Sequence, residues 1–403
     1  MLDGRKEIKV LCVIESLGVG GAERLLVSLL PHISKGKIHV DVVSLFTDTS
    51  LSQELEERGI KVLPFNITHR WNIVSTTYKL FTVLKVGNYD VVWSHLYFGN
   101  LYSALAGCMF SNLSVIWTLH SPRNAMSHPE KEILFRVRGL FERLLGKYRA
   151  NKIIAVSHSV ALDYKSSTKW KNIDVIYNGI EFSNFPSAMT PEERTLVRNK
   201  CGILSNDFLI VTPGRYSAEK GHHVMISAVE LLIKEYGEKS IKWVCAGYGN
   251  LKKSLDNLIV LRELKDRITL LGSLQHNDML RLIESANLVV LPSIRESFGI
   301  SAVESMYLGI PVIVSDVDGL AEVVDENSGV KVASNDSEAL SKAIFQLMHD
   351  KDKMFNLTIS EFCGKLETIK IPKHLQIIKR NYIHKKLKEL LGIRSTIFQN
   401  SEF

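Results

Sequence analysis

The sequence predicts an α/β protein of two Rossmann-like domains, each built on a doubly wound parallel sheet. Short runs rich in β-branched residues alternate with helical stretches, and these runs are apolar on both faces, as in strands covered by helices. The length of 403 residues suits two domains. The segment NFPSAMTPEE interrupts the alternation with two prolines and small polar residues.

The candidate strands fall into two series on either side of this break. The first series is IKVLCVIE, HVDVVSLF, KVLPF, DVVWSH, SVIWTLH, KIIAVS and DVIYNG, and the second is FLIVTPG, KWVCAG, ITLLG, LVVLPS, PVIVSD and GVKVA. We therefore expect domains at residues 1–186 and 187–363, followed by a basic helical tail at 364–403. Because ligands bind beyond the carboxyl ends of strands in open α/β sheets, the residues that follow these runs are the first functional candidates.

Composition narrows the classes of protein. An apolar content of 45% and a charged content of 23% exclude collagen, low-complexity disorder and coiled coil. The net charge of +7 is divided unevenly, with +6 in residues 1–186, −5 in 187–363, +7 in 364–394 and −1 in 395–403. A nucleic-acid-binding protein is one alternative, but no aromatic residues are interleaved with the basic ones, so we expect no nucleic-acid partner. The stretches FRVRGLFERLLGKYR and KHLQIIKRNYIHKKLKELLG are basic and amphipathic. Their periodicity indicates core packing first, and the basic residues beside apolar ones favour peripheral contact with an anionic membrane.

Cysteine usage and hydropathy indicate a cytoplasmic protein, and the basic stretches favour a position at the inner face of the membrane. The five cysteines are dispersed without a C-x-x-C pair, which is typical of buried thiols in a reducing compartment. The first apolar run lacks a cleavage site and is interpreted as a strand, not a signal peptide. Residues 91–122 contain no charged side chain, but seven Ser, Asn and His residues interrupt the run, which predicts strand, helix and strand instead of a membrane span.

The first candidate motif is the glycine-containing turn LGVGGAER after the first strand. Gly20 and Gly21 open a helix, where backbone N–H groups and the helix dipole favour an anion. The motif is not G-x-G-x-x-G, and tight packing of the turn is an alternative interpretation.

The second candidate motif, TPGRYSAEKG, follows the first strand of the second domain. Arg215 and Lys220 can converge from one loop on a diphosphate, the arginine as a fork and the lysine as a point charge. The alternative is a pair of solvated loop charges.

The third candidate motif, ESFGISAVE, places two carboxylates eight positions apart across a strand–loop–helix junction. Glu296 and Glu304 are suited to accept hydrogen bonds from sugar hydroxyls, and the amides at Phe298 and Gly299 can bind more of the same ligand. A helix N-terminal carboxylate and a surface glutamate would be the structural alternative.

His95 and His120 each end an apolar strand of the first domain, where either a structural or a ligand-binding role is possible.

Taken in order, the motifs GGAER, TLH, IIAVSHSV, VIYNGIEF, GRYSAEKG, AGYGN and ESFGISAVESMYLGIPVIVSD resemble the retaining glycosyltransferases of family four, over residues 8–335. The resemblance implies a GT-B fold, in which two Rossmann-like domains face a central cleft. It also implies the roles of single residues. Arg215 and Lys220 would hold the donor diphosphate, and His120 would lie beside the sugar. The remaining donor contacts would come from Gly20, Gly21, Gly247, Gly249, Glu296, Ser297, Phe298, Gly299 and Glu304.

Such enzymes move a hexose or N-acetylhexosamine from a nucleoside diphosphate sugar, here a UDP-sugar or GDP-sugar, with retention at the anomeric carbon. The resemblance implies catalytic roles for His120, Glu296, Arg215 and Lys220, no metal or other cofactor, and a glycan or lipid-linked saccharide as acceptor. His95 and Glu23 are the candidates for acceptor contacts. Polysaccharide or glycolipid biosynthesis is the expected setting. The alternatives are a sugar-nucleotide 2-epimerase, an inverting transferase of the same fold, and a sugar-binding paralogue without activity.

Overall fold

The computed structural model describes residues 7–18, 20–123, 132–182 and 185–359. The described chain forms two compact units, and the division between them falls between Glu181 and Phe182. The predicted basic tail at 364–403 lies outside the described residues, as does Cys363.

In its described part, the first unit alternates seven strands with six helices. These elements are β1 (Ile8–Ile14), α1 (Gly21–Ile33), β2 (Ile38–Phe46), α2 (Ser52–Glu57), β3 (Lys61–Ile67), α3 (Ile73–Gly87), β4 (Val91–His95), α4 (Leu96–Gly107), β5 (Ser114–Leu119), α5 (Glu132–Tyr148), β6 (Lys152–Ala155), α6 (His158–Thr168) and β7 (Asp174–Val175).

The seven strands form a parallel sheet in the order β3-β2-β1-β4-β5-β6-β7. In β1, Val10 pairs with Val40 of β2 on one side and with Val91 of β4 on the other. Alternate residues of each strand are buried in separate clusters on the two faces of the sheet, which explains why the strands are apolar throughout. Because strand order reverses between β1 and β4, the carboxyl ends of these strands flank the switch point where doubly wound sheets bind ligands.

The second unit, over its described residues, repeats this arrangement with six strands and eight helices. They are α7 (Pro191–Lys200), β8 (Phe208–Pro213), α8 (His222–Lys234), β9 (Ile241–Ala246), α9 (Lys252–Leu261), β10 (Ile268–Leu271), α10 (His276–Glu284), β11 (Leu288–Leu291), α11 (Ile300–Tyr307), β12 (Val312–Ser315), α12 (Asp318–Val323), β13 (Val330–Val332), α13 (Ser337–His349) and α14 (Lys351–Ile359). The sheet order is β10-β9-β8-β11-β12-β13, and neighbouring strands pair in parallel. Its switch point lies between β8 and β11.

The fold class predicted from the sequence is confirmed, and each predicted run contains a strand in the expected order. Residues 91–122 form β4, α4 and β5 as predicted, and no helix in the described part of the chain is long and apolar enough to cross a membrane. One difference concerns the predicted break. Helix α7 begins there, because Thr190 and Glu193 form a reciprocal capping box and Pro191 occupies the first helical turn.

The cysteines were expected to be buried, and the structure supports this for two of the four that it describes. Cys12 and Cys245 are buried, and burial raises the pKa of both thiols. Cys201 is half-buried, and Cys108 is exposed at the end of α4, contrary to the expectation. All four are free thiols.

Candidate functional site

The loops that follow β8 and β11 meet at the switch point of the second unit. The Lys220 ammonium donates to Glu296 Oε2 at 2.5 Å, and the Ser293 hydroxyl donates to the same oxygen at 3.4 Å. The side chains of Lys220 and Glu296 are 22% and 18% exposed, so this ion pair is mostly shielded from water. Two residues that the sequence analysis proposed separately are therefore in direct contact.

Backbone contacts hold these two loops together. The amides of Ile294 and Arg295 both donate to the carbonyl of Glu219, at 2.8 and 3.3 Å. Gly221 has a φ of +64°, and a Cβ at this position would lie 1.9 Å from the carbonyl oxygen of Pro292. Only glycine fits this left-handed position so close to another backbone, so the loop after β8 is locked against the loop after β11.

Arg215 and Lys220 do not converge in this structure. The Arg215 guanidinium donates to Glu219 Oε1 at 3.2 Å, and its side chain is 58% exposed. Lys220 instead turns inward to Glu296. Arg215 is thus an exposed cation of this loop, and such an exposed i,i+4 ion pair costs little to break.

Asp318, which the sequence analysis missed, organises the Glu296 loop. Its Oδ2 accepts from Arg295 Nε at 2.8 Å and from the Glu296 amide at 3.3 Å. The Gly319 amide donates to the Glu296 carbonyl at 3.0 Å, and Asp318 adopts a φ of +41°. A non-glycine residue at positive φ beside a candidate site is a strained position held by its surroundings. The motif VSDVDG after a strand was the signal available in the sequence.

Glu304 lies on α11, just beyond the loop that carries Glu296. Gly299 is the N-cap of this helix with a φ of +90°, Phe298 is buried and Ser297 is half-buried. Glu304 is buried, and its Oε1 lies 3.7 Å from His276 Nε2 of α10. His276 is a second residue that the sequence analysis missed, because its partner is 28 positions away.

Gly247 and Gly249, which follow β9, are required for packing. A Cβ on Gly247 would lie 1.9 Å from the Gly214 carbonyl oxygen, and one on Gly249 would lie 2.2 Å from the Tyr216 carbonyl oxygen. These close approaches bring the loop after β9 against the loop after β8. The structure thus gives both glycines a backbone role at the same sheet edge as Lys220.

In the first unit, Gly20 is the N-cap of α1 and Gly21 is the first residue of that helix. Gly20 has extended backbone, and its amide donates to Gly18 at 3.2 Å. Glu23 lies in the first turn, and a Cβ on Gly20 would lie 2.2 Å from Glu23 Oε2, so the glutamate side chain packs over this glycine. A carboxylate is favoured at a helix N-terminus for the same reason as a phosphate.

His95 and His120 follow neighbouring strands and are in contact. His95 Nδ1 lies 3.0 Å from His120 Nε2, and His95 is fully buried. Burial lowers the pKa of His95 well below its ordinary value and that of His120 to about 4, so both imidazoles are neutral at physiological pH. Because His95 has no exposed surface, the structure does not support the expectation that it contacts an acceptor directly.

A cavity beside His120 contains a buried carboxylate that the sequence analysis did not single out. Glu142 of α5 accepts from Arg123 Nε at 3.2 Å and from the Tyr164 hydroxyl at 3.1 Å. Burial raises the pKa of Glu142, and the arginine partly offsets this effect. The cavity is lined by these residues and by Leu96, Tyr97, Asn100, Thr118, Leu119, His120, Ser121, Arg138 and Gly139. This lining mixes apolar side chains with hydrogen-bonding groups such as Asn100, Thr118 and His120.

Glu15, directly after β1, is a further carboxylate at the switch point and is half-buried. It accepts a hydrogen bond from the Phe98 amide at 2.9 Å, in the first turn of α4. Burial raises the pKa of Glu15, while the Phe98 amide and the charge of Arg70 lower it. The residue thus satisfies a helix N-terminus that would otherwise lack an acceptor.

Among the described residues, no group of three His, Cys, Asp or Glu side chains is placed to hold a metal ion.

Relatives of the chain are found for both units. A glycosyltransferase of uncharacterized function from Methanocaldococcus jannaschii is 30% identical over 209 residues, which are 51% of this chain and 53% of the relative. UDP-Gal:alpha-D-GlcNAc-diphosphoundecaprenol alpha-1,3-galactosyltransferase of Escherichia coli is 24% identical over 309 residues, 75% of each chain. The chain spans about half the length of the first curated relatives that it matches.

A similar solved structure shows the fold of the chain, and two family matches show its family. The structure of Anabaena Alr3699/HepE in complex with UDP-glucose matches with a TM-score of 0.80 at 20% identity, over 96% of this chain and 99% of that chain. This likeness shows a shared GT-B fold. Residues 19–184 match the family described as glycosyltransferase family 4, and residues 193–359 match the family described as glycosyl transferases group 1. Since these two matches cover most of the chain, one in each unit, the protein belongs to the family 4 glycosyltransferases of group 1.

Proposed function

We propose that the protein transfers a hexose or N-acetylhexosamine from a nucleoside diphosphate sugar to a saccharide acceptor, with retention of the anomeric configuration and without a metal. The observation that carries this proposal is the shielded Lys220–Glu296 pair at the switch point of the second unit. The HepE structure that shares the fold contains UDP-glucose, which supports a nucleotide sugar as donor.

The chemistry of the pair suits a diphosphate sugar. Lys220 would bind the diphosphate, and the exposed Arg215 would close on it as a bidentate donor after releasing Glu219. As the bond from the anomeric carbon to the diphosphate oxygen breaks, negative charge grows on the leaving group. Two placed cations stabilise this charge more strongly in the transition state than in the ground state.

Glu296 would bind sugar hydroxyls, with the Ser297, Phe298 and Gly299 segment forming the rest of that wall. As Lys220 turns to the phosphates, the Glu296 carboxylate becomes available to accept from a hydroxyl. Retention would then follow from attack of the acceptor hydroxyl on the face that the diphosphate leaves, with the departing phosphate oxygen taking the acceptor proton. Glu304 would accept from the ribose, Gly247 and Gly249 would lie near the base, and Gly20 and Gly21 would contribute amides to phosphate or acceptor.

A glycan or lipid-linked saccharide is the proposed acceptor. The E. coli relative is named for transfer to a sugar on diphosphoundecaprenol, which supports a lipid-linked acceptor of this kind. The cavity beside His120, with Glu142 and Arg123 in its lining, offers both donors and acceptors for saccharide hydroxyls. Glu23 remains a proposed acceptor contact at the start of α1.

Helix α5 supports contact with an anionic membrane. Its residues Val137, Leu140, Phe141, Leu144 and Tyr148 follow helical spacing and are all exposed, as are Arg143 and Lys147 of the same helix. Apolar side chains with basic neighbours on one exposed helix face are typical of interfacial helices, because the apolar groups enter the headgroup region and the cations meet acidic lipids.

Vesicle binding tests the membrane contact. The protein should sediment with phosphatidylserine-containing vesicles at low salt and much less with phosphatidylcholine alone. Phe141→Ser with Leu144→Ser should abolish binding, while Leu196→Ser, an equally exposed leucine on α7, should leave it unchanged. Equal binding by both variants would contradict the role of α5.

Ligand-induced stabilisation and product analysis test the transfer reaction. A matching UDP-sugar or GDP-sugar at about 100 times its Kd should stabilise the fold by about 2.7 kcal/mol. The anomeric configuration of the product, read by NMR, separates a retaining from an inverting transferase. Formation of an isomerised nucleotide sugar without acceptor would identify the 2-epimerase alternative, and binding without turnover the inactive paralogue.

A further inference from the structure

His95 is held rigidly at the junction of β4 and α4. It is the last residue of the strand and the N-cap of the helix, and the next residue, Leu96, adopts a φ of +65°. A bulky residue in the left-handed region is uncommon and persists only where its surroundings hold it. The Trp93 ring packs against the imidazole with a centroid distance of 4.7 Å, and Trp93 is anchored by its bond to the Thr118 hydroxyl at 2.8 Å.

The contact between His95 and His120 requires a defined proton arrangement. A hydrogen bond of 3.0 Å between His95 Nδ1 and His120 Nε2 needs one N–H and one bare nitrogen, because each neutral imidazole carries a single N–H. Either His95 donates from Nδ1, or His120 donates from Nε2. The second proton of the pair lies on His120 Nδ1 in the first arrangement and on His95 Nε2 in the second.

The other nitrogen of His95 distinguishes the two arrangements. His95 Nε2 is buried and has no hydrogen-bond partner within the described structure. If His120 were the donor, His95 would carry its proton on Nε2, and that N–H would be buried without an acceptor. Orphaned buried N–H groups are rarer in proteins than orphaned acceptors, so the geometry favours an N–H on His95 Nδ1.

We infer that His95 is a positioning residue that holds His120 in its Nδ1–H tautomer, so that His120 offers a neutral donor to a saccharide oxygen in the cavity that it lines. This inference rests on the proposed function, which assigns saccharide hydroxyls to that cavity. His120 Nε2 is occupied by His95, and Nδ1 is the nitrogen left for a ligand in the cavity. A neutral donor binds a saccharide oxygen without adding a charge to the cavity.

The tautomer can be measured without any substrate. In the ¹⁵N-labelled full-length protein near neutral pH, long-range ¹H–¹⁵N correlation spectra distinguish Nδ1–H from Nε2–H imidazoles, and His120→Gln assigns the His120 signals by their loss. We expect an Nδ1–H pattern for both His95 and His120. An Nε2–H pattern for His120 would overturn the inference, whatever the outcome of transfer assays.

Two variants then test the consequence for the reaction. His95→Asn retains an N–H donor at the position of Nδ1, whereas His95→Met fills the space without a donor. We expect kcat near the wild-type value for His95→Asn and about tenfold lower for His95→Met, with a mixed His120 tautomer in the latter. Equal losses in both variants, or a His95→Met protein with wild-type kcat, would contradict the inference. A wild-type protein with the expected tautomer but without transfer would instead refute the proposed function.

Discussion

Replacement of Lys220 by methionine removes the charge at the switch point of the second unit while keeping much of the side-chain volume. Two effects are expected, and they have different origins. Glu296 loses its partner in a site where both side chains are about a fifth exposed. Breaking a fully buried pair costs 3–5 kcal/mol, and the partial exposure here reduces the expected loss of unfolding free energy to about 1–3 kcal/mol.

The second effect is on the transition state. If Lys220 stabilises the leaving diphosphate, its loss should cost about 2.7–4 kcal/mol and lower kcat by about 10²–10³. Denaturant unfolding measures the first effect, and steady-state transfer with a coupled assay for released nucleotide measures the second. Lys234→Met is the matched control, because Lys234 forms an exposed i,i+4 pair with Glu230 in the same unit and should change neither quantity appreciably.

The double variant Lys220→Met with Glu296→Gln separates structure from function. It removes the uncompensated carboxylate, so it should recover most of the lost stability while transfer stays low. A Lys220→Met enzyme with near-normal kcat would refute the diphosphate assignment. Recovery of both stability and transfer in the double variant would show that Lys220 only neutralises Glu296.

Three further outcomes follow from the structure. Glu304→Gln should raise the donor KM several-fold with a smaller change in kcat, because a ribose contact is nearly equal in ground and transition states; a collapsed kcat at unchanged KM would contradict this. Gly221→Ala should lose about 1–3 kcal/mol of unfolding free energy and weaken donor binding, since its Cβ would strike the Pro292 carbonyl, whereas Gly237→Ala, at φ +71° with nothing within 4 Å, should lose only about 1 kcal/mol and bind normally. For His120, the pKa is lowered in the folded protein, so the unfolded chain binds the extra proton and stability falls as pH drops from about 6.5 to about 4, by up to about 3 kcal/mol. Unfolding free energies of wild type and His120→Gln across this range should diverge, and parallel curves would contradict the assignment.

Much of the local structure could be predicted because its causes are local. The strand runs were recognisable from apolar residues on both faces, and the break concealed a helix whose signal, T-P-E-E, was present in the sequence. The motifs also contained Gly299 at a helix start and Gly221 in a loop, two positions where glycine indicates a special backbone conformation. The capping box was missed although its signal is local, because it depends on residues only three positions apart. Its residues were interpreted as a break between domains instead.

The side-chain partners could not be predicted in the same way. Glu142 was not singled out within FRVRGLFERLLGKYR, yet it is buried against Arg123 and Tyr164, which lie 19 and 22 positions away. The same helix exposes Leu140 and Phe141, although its periodicity suggested core packing. Periodicity shows that a helix has an apolar face, but it does not show whether another element covers that face.

The sequence by itself determined the order of strands and helices, the two parallel sheets and the sheet edge at which the candidate residues lie. These features depend on backbone propensity and on residues a few positions apart. Only the tertiary structure decided that Lys220 turns to Glu296 while Arg215 stays exposed, and that His95 is buried beneath His120. Such choices depend on contacts between residues 25 to 76 positions apart, whose desolvation and hydrogen bonding are set by how the loops pack.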